Sequence, residues 1–432
     1  MLGLPGAVEN TCAALAAGAS SFGNLGQYFT FRLPYWDDDV ATTEATVTAL
    51  GLLAAQDAEI LANSNLDGGF ACIFLDMASA LGMVLIEKHV VEGLIGVSLA
   101  HCYGHHFSDP LSRAAFHAAL ARVSDTPGTM IFGNTVAYQA EAAGNYASLA
   151  SYLLADTVAL RRWPTGHAVN PVPVTENIRI PDIEEIIDAQ TFAHRLAEHA
   201  PFYDAVFDWQ RVEAMADRLV EGGRRFAAAT LEGLGDRGVP MDDPAAILLA
   251  IRRMGPKRME ALFGPGEADA RGRVPLVAAE WARELDHKAE SWVRGKDRLA
   301  RAVRICIGTT DVHEHGKYLV EQALDGLGAV LTDAGVAIDP ETLVERAVES
   351  GADAIAISTY NGVALSYTRA VLVAMKARGL ALPVMVGGRL NEVPKESNSG
   401  LPADVTEDIR ALGCRPCASL DDMLEALREI GR

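Results

Sequence analysis

The chain has 432 residues, half of them apolar and 22% charged, which is material for more than one buried core. Its 57 acidic against 37 basic residues leave a net charge of −20, a field that repels phosphate backbones and excludes nucleic acid as an expected partner. The longest apolar stretch, FACIFLDMASALGMVLIEKHVV, is interrupted by Asp76 and Glu87, so no membrane span is expected. The six cysteines are scattered and no secretory leader is read, which fits reduced thiols in a cytoplasmic protein. Cys414 and Cys417 form a CxxC without a second pair or histidine cluster nearby, and read as two ordinary thiols.

Residues 20–200 alternate in type. Strands are expected at QYFTFRL (27–33), GFACIFLD (69–76), GLIGVSLA (93–100), GTMIFGNTVA (128–137) and ADTVALRR (155–162). Helical patterns lie between them: VATTEATVTALGLLAAQDAEILAN, ASALGMVLIEKHVVE, DPLSRAAFHAALARV and AEAAGNYASLASYLL. Near-continuous apolar strands alternating with helices imply parallel strands covered by helices. The polar tips after them, such as LAHCYGHHFSD, are where a parallel barrel does its work. Five strands fall short of the eight that close a (β/α)8 barrel, so residues 1–205 read as a partial TIM-barrel-like domain. Its open edges call for another chain to cover them. Residues 206–298 read as a mainly helical extension, and a domain boundary falls near residue 300.

Residues 299–432 read as a flavodoxin-like, doubly wound α/β domain. The expected strands are VRICIG, AVLTDAG, DAIAIST and LPVMVGG, with a short one before the last helix SLDDMLEALREI. Expected helices lie at 316–327, PETLVERAVESG, 364–378 and 402–412. Ligands of such sheets sit at the carboxyl ends of the strands. Three loops there carry unusual residues: Thr310-Asp311-Val312-His313-Glu314-His315-Gly316, then Ser358-Thr359-Tyr360-Asn361-Gly362, then Gly387-Gly388-Arg389. A histidine two residues from an aspartate can donate one ring N–H to it and offer the other nitrogen to a metal. Gly316 permits close backbone approach, the paired glycines leave room for a large ligand, and the hydroxyls can bond its polar atoms. The plainer alternative is that Asp311 and His313 only cap the following helix.

Asp-x-His-x-x-Gly, then Ser-x-Tyr, then Gly-Gly on this pattern resembles the cobalamin-binding domain of adenosylcobalamin-dependent mutases and cobalamin-dependent methyltransferases. The resemblance implies that His313 is the axial ligand of cobalt, with Asp311 as its partner. It implies that Thr310, Val312, Glu314, Gly316, Ser358, Thr359, Tyr360, Gly387, Gly388 and Arg389 line the cofactor site, while His315 is a solvated bystander. Through DAIAISTYNG and VMVGGRL the small domain is most similar to the glutamate mutase (methylaspartate mutase) family. The earlier residues resemble that enzyme's barrel-forming component through LPYW, IGVSLAHCYGHHFSDPLSRAA, ALRRWPTGHAVNPVPVTE and LFGPG.

That resemblance implies an isomerase acting on a small amino or carboxylic acid. Its cofactor would be adenosylcobalamin, whose cobalt–carbon bond breaks to give an adenosyl radical. Tyr35 and Arg162 stand at positions of its catalytic residues and Pro34 at a cofactor-contacting one. Leu25 and Phe31 replace substrate-touching polar residues, and the residue one turn beyond Arg162 corresponds to Gly166 or His167. The family's carboxylate-clamping arginines would precede Met1, so the expectation is a second protein subunit that supplies the first barrel strands. Two alternatives stay open: a corrinoid-dependent methyltransferase component, and a non-catalytic cobalamin-binding protein.

Overall fold

The computed structural model describes residues 2–29, 38–104, 109–134, 138, 141–165, 169–269, 272–311, 314–360, 362–393 and 402–431. The chain divides into two compact units, one comprising residues 1–30 and 38–282, the other residues 283–432. No helix among the described residues is long and apolar enough to cross a membrane.

Among the described residues the first unit holds five short parallel strands: β1 (Ser21–Phe22), β2 (Leu61–Asn65), β3 (Ser98–Cys102), β4 (Ile131–Phe132) and β5 (Val169–Asn170). β1 pairs with β2, β2 with β3 and β4 with β5, all in parallel, and a parallel bridge between Tyr103 and Ile131 joins β3 to β4. Each strand is thus laid beside its predecessor in chain order. The connecting helices are α1 (Ala7–Ala16), α2 (Asp39–Ala54), α3 (Met77–Lys88), α4 (Pro110–Ala121) and α5 (Ala142–Arg162). Aspartates start most of them: Asp38 accepts the Ala41 N–H at 2.9 Å, and Asp109 accepts the Ser112 N–H at 2.8 Å with Pro110 at the first helical position.

Helices dominate the rest of the unit. They are α6 (Ile183–Tyr203), α7 (Trp209–Gly235), α8 (Pro244–Met254) and α9 (Pro256–Phe263), followed by the two-residue strands β6 (Ala268–Asp269) and β7 (Gly272–Arg273); the next helix, α10 (Glu280–Val293), begins in this unit and belongs mostly to the second. α7 lies on α3 and α4. Its contact with α3 is close because glycines face it: a Cβ on Gly82 would come within 2.6 Å of Phe226 Cδ1, and one on Gly222 within 2.7 Å of Ala78 Cβ.

Several expected strands are not strands. Residues 26–29 and 70–73 are 3-10 turns, and 155–162 is the end of α5. Residues 30–33 and 135–137 lie outside the described residues. In the second of these turns Phe70, Ala71, Cys72 and Ile73 are all buried, so the apolar run imitates a buried strand without alternating. The real β2, LANSN, is poor in strand-forming residues. α5 simply continues to Trp163 and Pro164, since nothing in ADTVALRR breaks a helix.

A carboxyl pair pins the start of α3. Glu260 accepts the N–H groups of Leu75 at 2.8 Å and Asp76 at 2.9 Å, while Asp76 accepts those of Ala78, Leu276 and Val277 at 2.9, 2.6 and 3.0 Å. Burial pushes Glu260 up to about 7 against the pull of the backbone donors, and raises Asp76 as well. The folded chain therefore keeps a Glu260 proton, between about pH 4.5 and pH 7, that the unfolded chain has released. Stability from this site rises as pH falls through that window, by about 3 kcal/mol in full. Unfolding midpoints measured from pH 8 down to pH 5 should climb, and Glu260→Gln should flatten the slope; an unchanged slope would assign it to another group.

The second unit carries one five-stranded parallel sheet. Its elements are β8 (Arg304–Thr309), α11 (His315–Gly326), β9 (Val330–Gly335), α12 (Pro340–Glu349), β10 (Ala354–Thr359), α13 (Ala364–Ala377) and β11 (Val384–Gly388). A small antiparallel ladder of β12 (Asn391–Glu392) and β13 (Ala403–Asp404) follows, then α14 (Thr406–Ala411), β14 (Arg415–Cys417) and α15 (Leu420–Ile430). The spatial order is β14-β11-β10-β8-β9. Numbered by appearance within this sheet that is 2-1-3-4-5 read from the β9 edge, the doubly wound order, with its switch point between β8 and β10. Ile305, Ile307, Ala354, Ala356 and Met385 fill one face with α15, and Cys306, Ile355, Ile357, Val384 and Val386 fill the other with α12 and α13. Cys414 and Cys417 are both buried, and burial pushes Cys417 up to about 11, which leaves it a packed thiol.

Candidate functional site

Parallel pairing brings the three motif loops to one level of the sheet. Ser358 is in register with Thr309 on one side and Gly387 on the other, and Thr359 is in register with Gly388. The loops that leave β8, β10 and β11 therefore start together at the carboxyl edge, beside the switch point. Thr310 extends the pairing, its N–H bonded to the Ser358 carbonyl at 3.0 Å.

On the first loop, Asp311 is 9% exposed. Its carbonyl accepts the Ala337 N–H at 3.1 Å and the Thr309 hydroxyl. Val312 and His313 lie outside the described residues. Glu314 occupies the N-cap position of α11 but makes no side-chain cap. Its carboxylate instead meets Lys317 at 2.9 Å. His315, expected to be solvated, is half-buried as the first residue of α11. Gly316 is exposed, and a Cβ there would lie 3.7 Å from Ser358 Oγ, so the start of α11 faces the end of β10.

Thr359 on the second loop is 2% exposed, and its Oγ1 has no hydrogen-bond partner among the described residues. Tyr360 is 45% exposed, and the Arg389 guanidinium stacks 4.6 Å from its ring centroid. The third loop turns at Gly388, whose φ is +91°. A Cβ there would collide with the Thr359 carbonyl, which accepts the Arg389 N–H at 2.8 Å. Glycine is therefore the residue that lets these two loops lie against each other.

This edge suits a large ligand with a polar tail. It offers a buried hydroxyl in need of a partner, a glycine that opens the start of α11, and a glycine turn with no side chain to fill the space. The sequence puts His313 two residues beyond Asp311, and an imidazole is a donor that transition metals accept.

The residues expected from the barrel are placed differently. Arg162 is the last residue of α5, exposed, with its guanidinium 5.4 Å from the Trp163 ring and 4.7 Å from the Trp209 ring. It precedes β5, so it does not belong to a loop at a strand's carboxyl end. Leu25 is fully buried and donates its N–H to the Asn63 carbonyl at 2.9 Å. Pro34, Tyr35, Phe31, Gly166 and His167 lie outside the described residues.

Residues 300–406 match the family model of the B12 binding domain. The second unit contains a B12-binding domain. Strands β8 to β11 and the three aligned loops all lie within the matched residues. The chain is also 28% identical to methionine synthase of Mycobacterium tuberculosis (strain ATCC 25618 / H37Rv) over 224 residues, which is 50% of this chain and 17% of that protein. This chain thus spans only a small part of that relative's length. A crystal structure titled a novel cobalamin-binding protein, from Desulfitobacterium hafniense DCB-2, aligns with 14% identity over 57% of this chain and 90% of that one. Its TM-score is 0.24, too low to relate the two folds.

One contributor to the B12-binding domain escaped sequence reasoning. Lys317 is wholly buried and meets Glu314, Glu321 and Asp333 at 2.9, 3.0 and 2.7 Å. The helical spacing of the two glutamates about a lysine was the available signal. The third partner comes from β9, and only the sheet order brings it there.

Proposed function

We propose that this chain is a cobalamin-dependent enzyme, or a subunit of one, whose corrinoid is held by the second unit. The observation that carries the reading is the common register of the loops after β8, β10 and β11 within the matched B12-binding domain. When bound, the corrinoid would supply a cobalt–carbon bond that can be made and broken. In this reading His313 holds the metal, and Asp311 fixes the tautomer and direction of its ring through a hydrogen bond. Ser358, Thr359 and the Gly387-Gly388 turn receive the polar tail, with Tyr360 and Arg389 as a rim.

The first reading of the chemistry is methyl transfer, supported by the similarity to methionine synthase. The second is rearrangement of the carbon skeleton of an amino or carboxylic acid with adenosylcobalamin, as in the glutamate mutase family that the chain resembles. One observation favours it: α7 packs through glycine contacts onto α3 and also lies on α4, so this helix belongs to the βα unit and is not a separate module before the B12-binding domain. On that reading β1 to β5, laid down in chain order, are part of a barrel wall that a second chain completes.

The test begins with cofactor titration. Reduced cobalamin bound to protein carrying 15N-labelled histidine should show nitrogen coupling from the imidazole in its electron paramagnetic resonance spectrum. His313→Ala should abolish that coupling and weaken binding by about 100-fold. Unchanged spectrum and affinity in the variant would refute the assignment. Transfer of the methyl group from methylcobalamin to a thiol acceptor would support the first chemistry. Exchange of label from tritiated adenosylcobalamin into candidate acids would support the second.

A further inference from the structure

We propose that Lys317, acting through Glu314 and Asp333, and Ala337, acting through Asp311, are positioning residues that brace the axial-histidine loop against β9. The inference rests on the reading of His313 as the cobalt ligand, and concerns what holds that loop in place.

A buried ammonium needs compensation, but a single carboxylate is enough to balance its charge. Lys317 has three, at 2.7, 2.9 and 3.0 Å, one for each of its ammonium protons. The formal charge of the group is +1 − 3 = −2, more than neutralisation requires. What the arrangement provides is a tripod. Its feet are Glu314, the residue directly after His313, Glu321 one turn along α11, and Asp333 on β9. Asp333 is itself held, because its carboxylate also accepts the Gly335 N–H at 2.8 Å. Glu314 stands at the N-cap position of α11, makes no side-chain cap there, and joins this group.

The other flank of the loop is tied to the same strand. Ala337, just beyond β9, donates its N–H to the Asp311 carbonyl at 3.1 Å and to Thr309 Oγ1 at 3.1 Å. It does so with φ at +45°, the one positive φ of a non-glycine residue among those described. A side chain held in the left-handed region marks a place where surrounding contacts override local preference. Ile338 adds its N–H to the Thr309 carbonyl at 3.1 Å. The residues on either side of the 312–313 pair are thus both anchored to β9 or the turn after it, and β9 is the edge strand next to β8.

A residue that merely stabilised the domain would change its melting temperature and leave the bound cobalt unaltered. The two variants are Lys317→Met and Asp333→Ala, the latter leaving the lysine two carboxylates. Each is titrated with cobalamin, with circular dichroism to confirm folding and the 15N-histidine coupling of the bound, reduced cofactor as readout. Both variants, while folded, should bind at least 10-fold more weakly and lose most of the histidine coupling. If Lys317→Met does not fold, Asp333→Ala carries the decision. Wild-type coupling and affinity in the folded variants would overturn the brace alone. Absence of histidine coupling in the wild-type protein would instead overturn the reading of His313, and this inference with it.

Discussion

Replacing Arg113 by methionine should destabilise the first unit by about 3–5 kcal/mol, the cost of removing one member of a buried ion pair. Its guanidinium is fully buried. Nε and Nη2 donate to the two oxygens of Asp156 at 2.8 and 2.6 Å, Nη1 donates to the Gly104 carbonyl at 2.8 Å, and Nη2 to the Phe132 carbonyl at 2.8 Å. One side chain therefore ties the segments that follow β3 and end β4 to the middle of α5. Methionine would fill much of the volume, so the loss is electrostatic: a carboxylate and two carbonyls stranded away from water. Urea and thermal unfolding measure it, with a fall in midpoint of roughly 10 °C. Adding Asp156→Leu should return part of the lost stability, because the stranded charge goes too. A single-variant loss below about 1 kcal/mol would mean that water reaches the pair.

How much of this fold could be read from the chain differs between the units, for a physical reason. In the second unit β8, β10 and β11 are packed on both faces, so each is a short apolar run. VRICIG, DAIAIST and LPVMVGG fall within two residues of β8, β10 and β11. In the first unit β2 places Asn63 and Asn65 on one face, and β5 is two residues long. A strand with amides on one face has no apolar run to read. The compact turns beside it, such as Phe70–Ile73, have one. Burial, not extension, was what the pattern reported there.

The site followed the same division. Which residues leave the carboxyl edge was legible, because a loop after a strand keeps its place once the strand is right. Their common level is a consequence of parallel register, which places Ser358 between Thr309 and Gly387. Asp333 was not legible as a partner of Lys317, since β9 lies beside β8 only because the chain turns back at the switch point. Arg162 was read as the end of a strand and is the end of a helix, which moves it to the opposite end of a βα unit. An error of one element type thus changed which edge of the sheet a side chain serves.

Gly388→Ala tests the turn on which the reading of the cofactor edge depends. Its effect should be separable into strain and collision. The φ of +91° alone would cost an alanine about 1–2 kcal/mol. Gly351 offers the comparison, with φ at +60° and open space around a Cβ, so Gly351→Ala should show that cost and little else. At Gly388 the added methyl also meets the Thr359 carbonyl, which cannot move without giving up the Arg389 N–H and spreading the loops after β10 and β11. The total should reach about 3 kcal/mol in chemical unfolding of the full chain. Cobalamin affinity should fall at least 10-fold for Gly388→Ala and stay at the wild-type value for Gly351→Ala. Equal stability losses in the two variants would show that the approach of the loops is loose, and the tail site would then have to lie elsewhere on the edge.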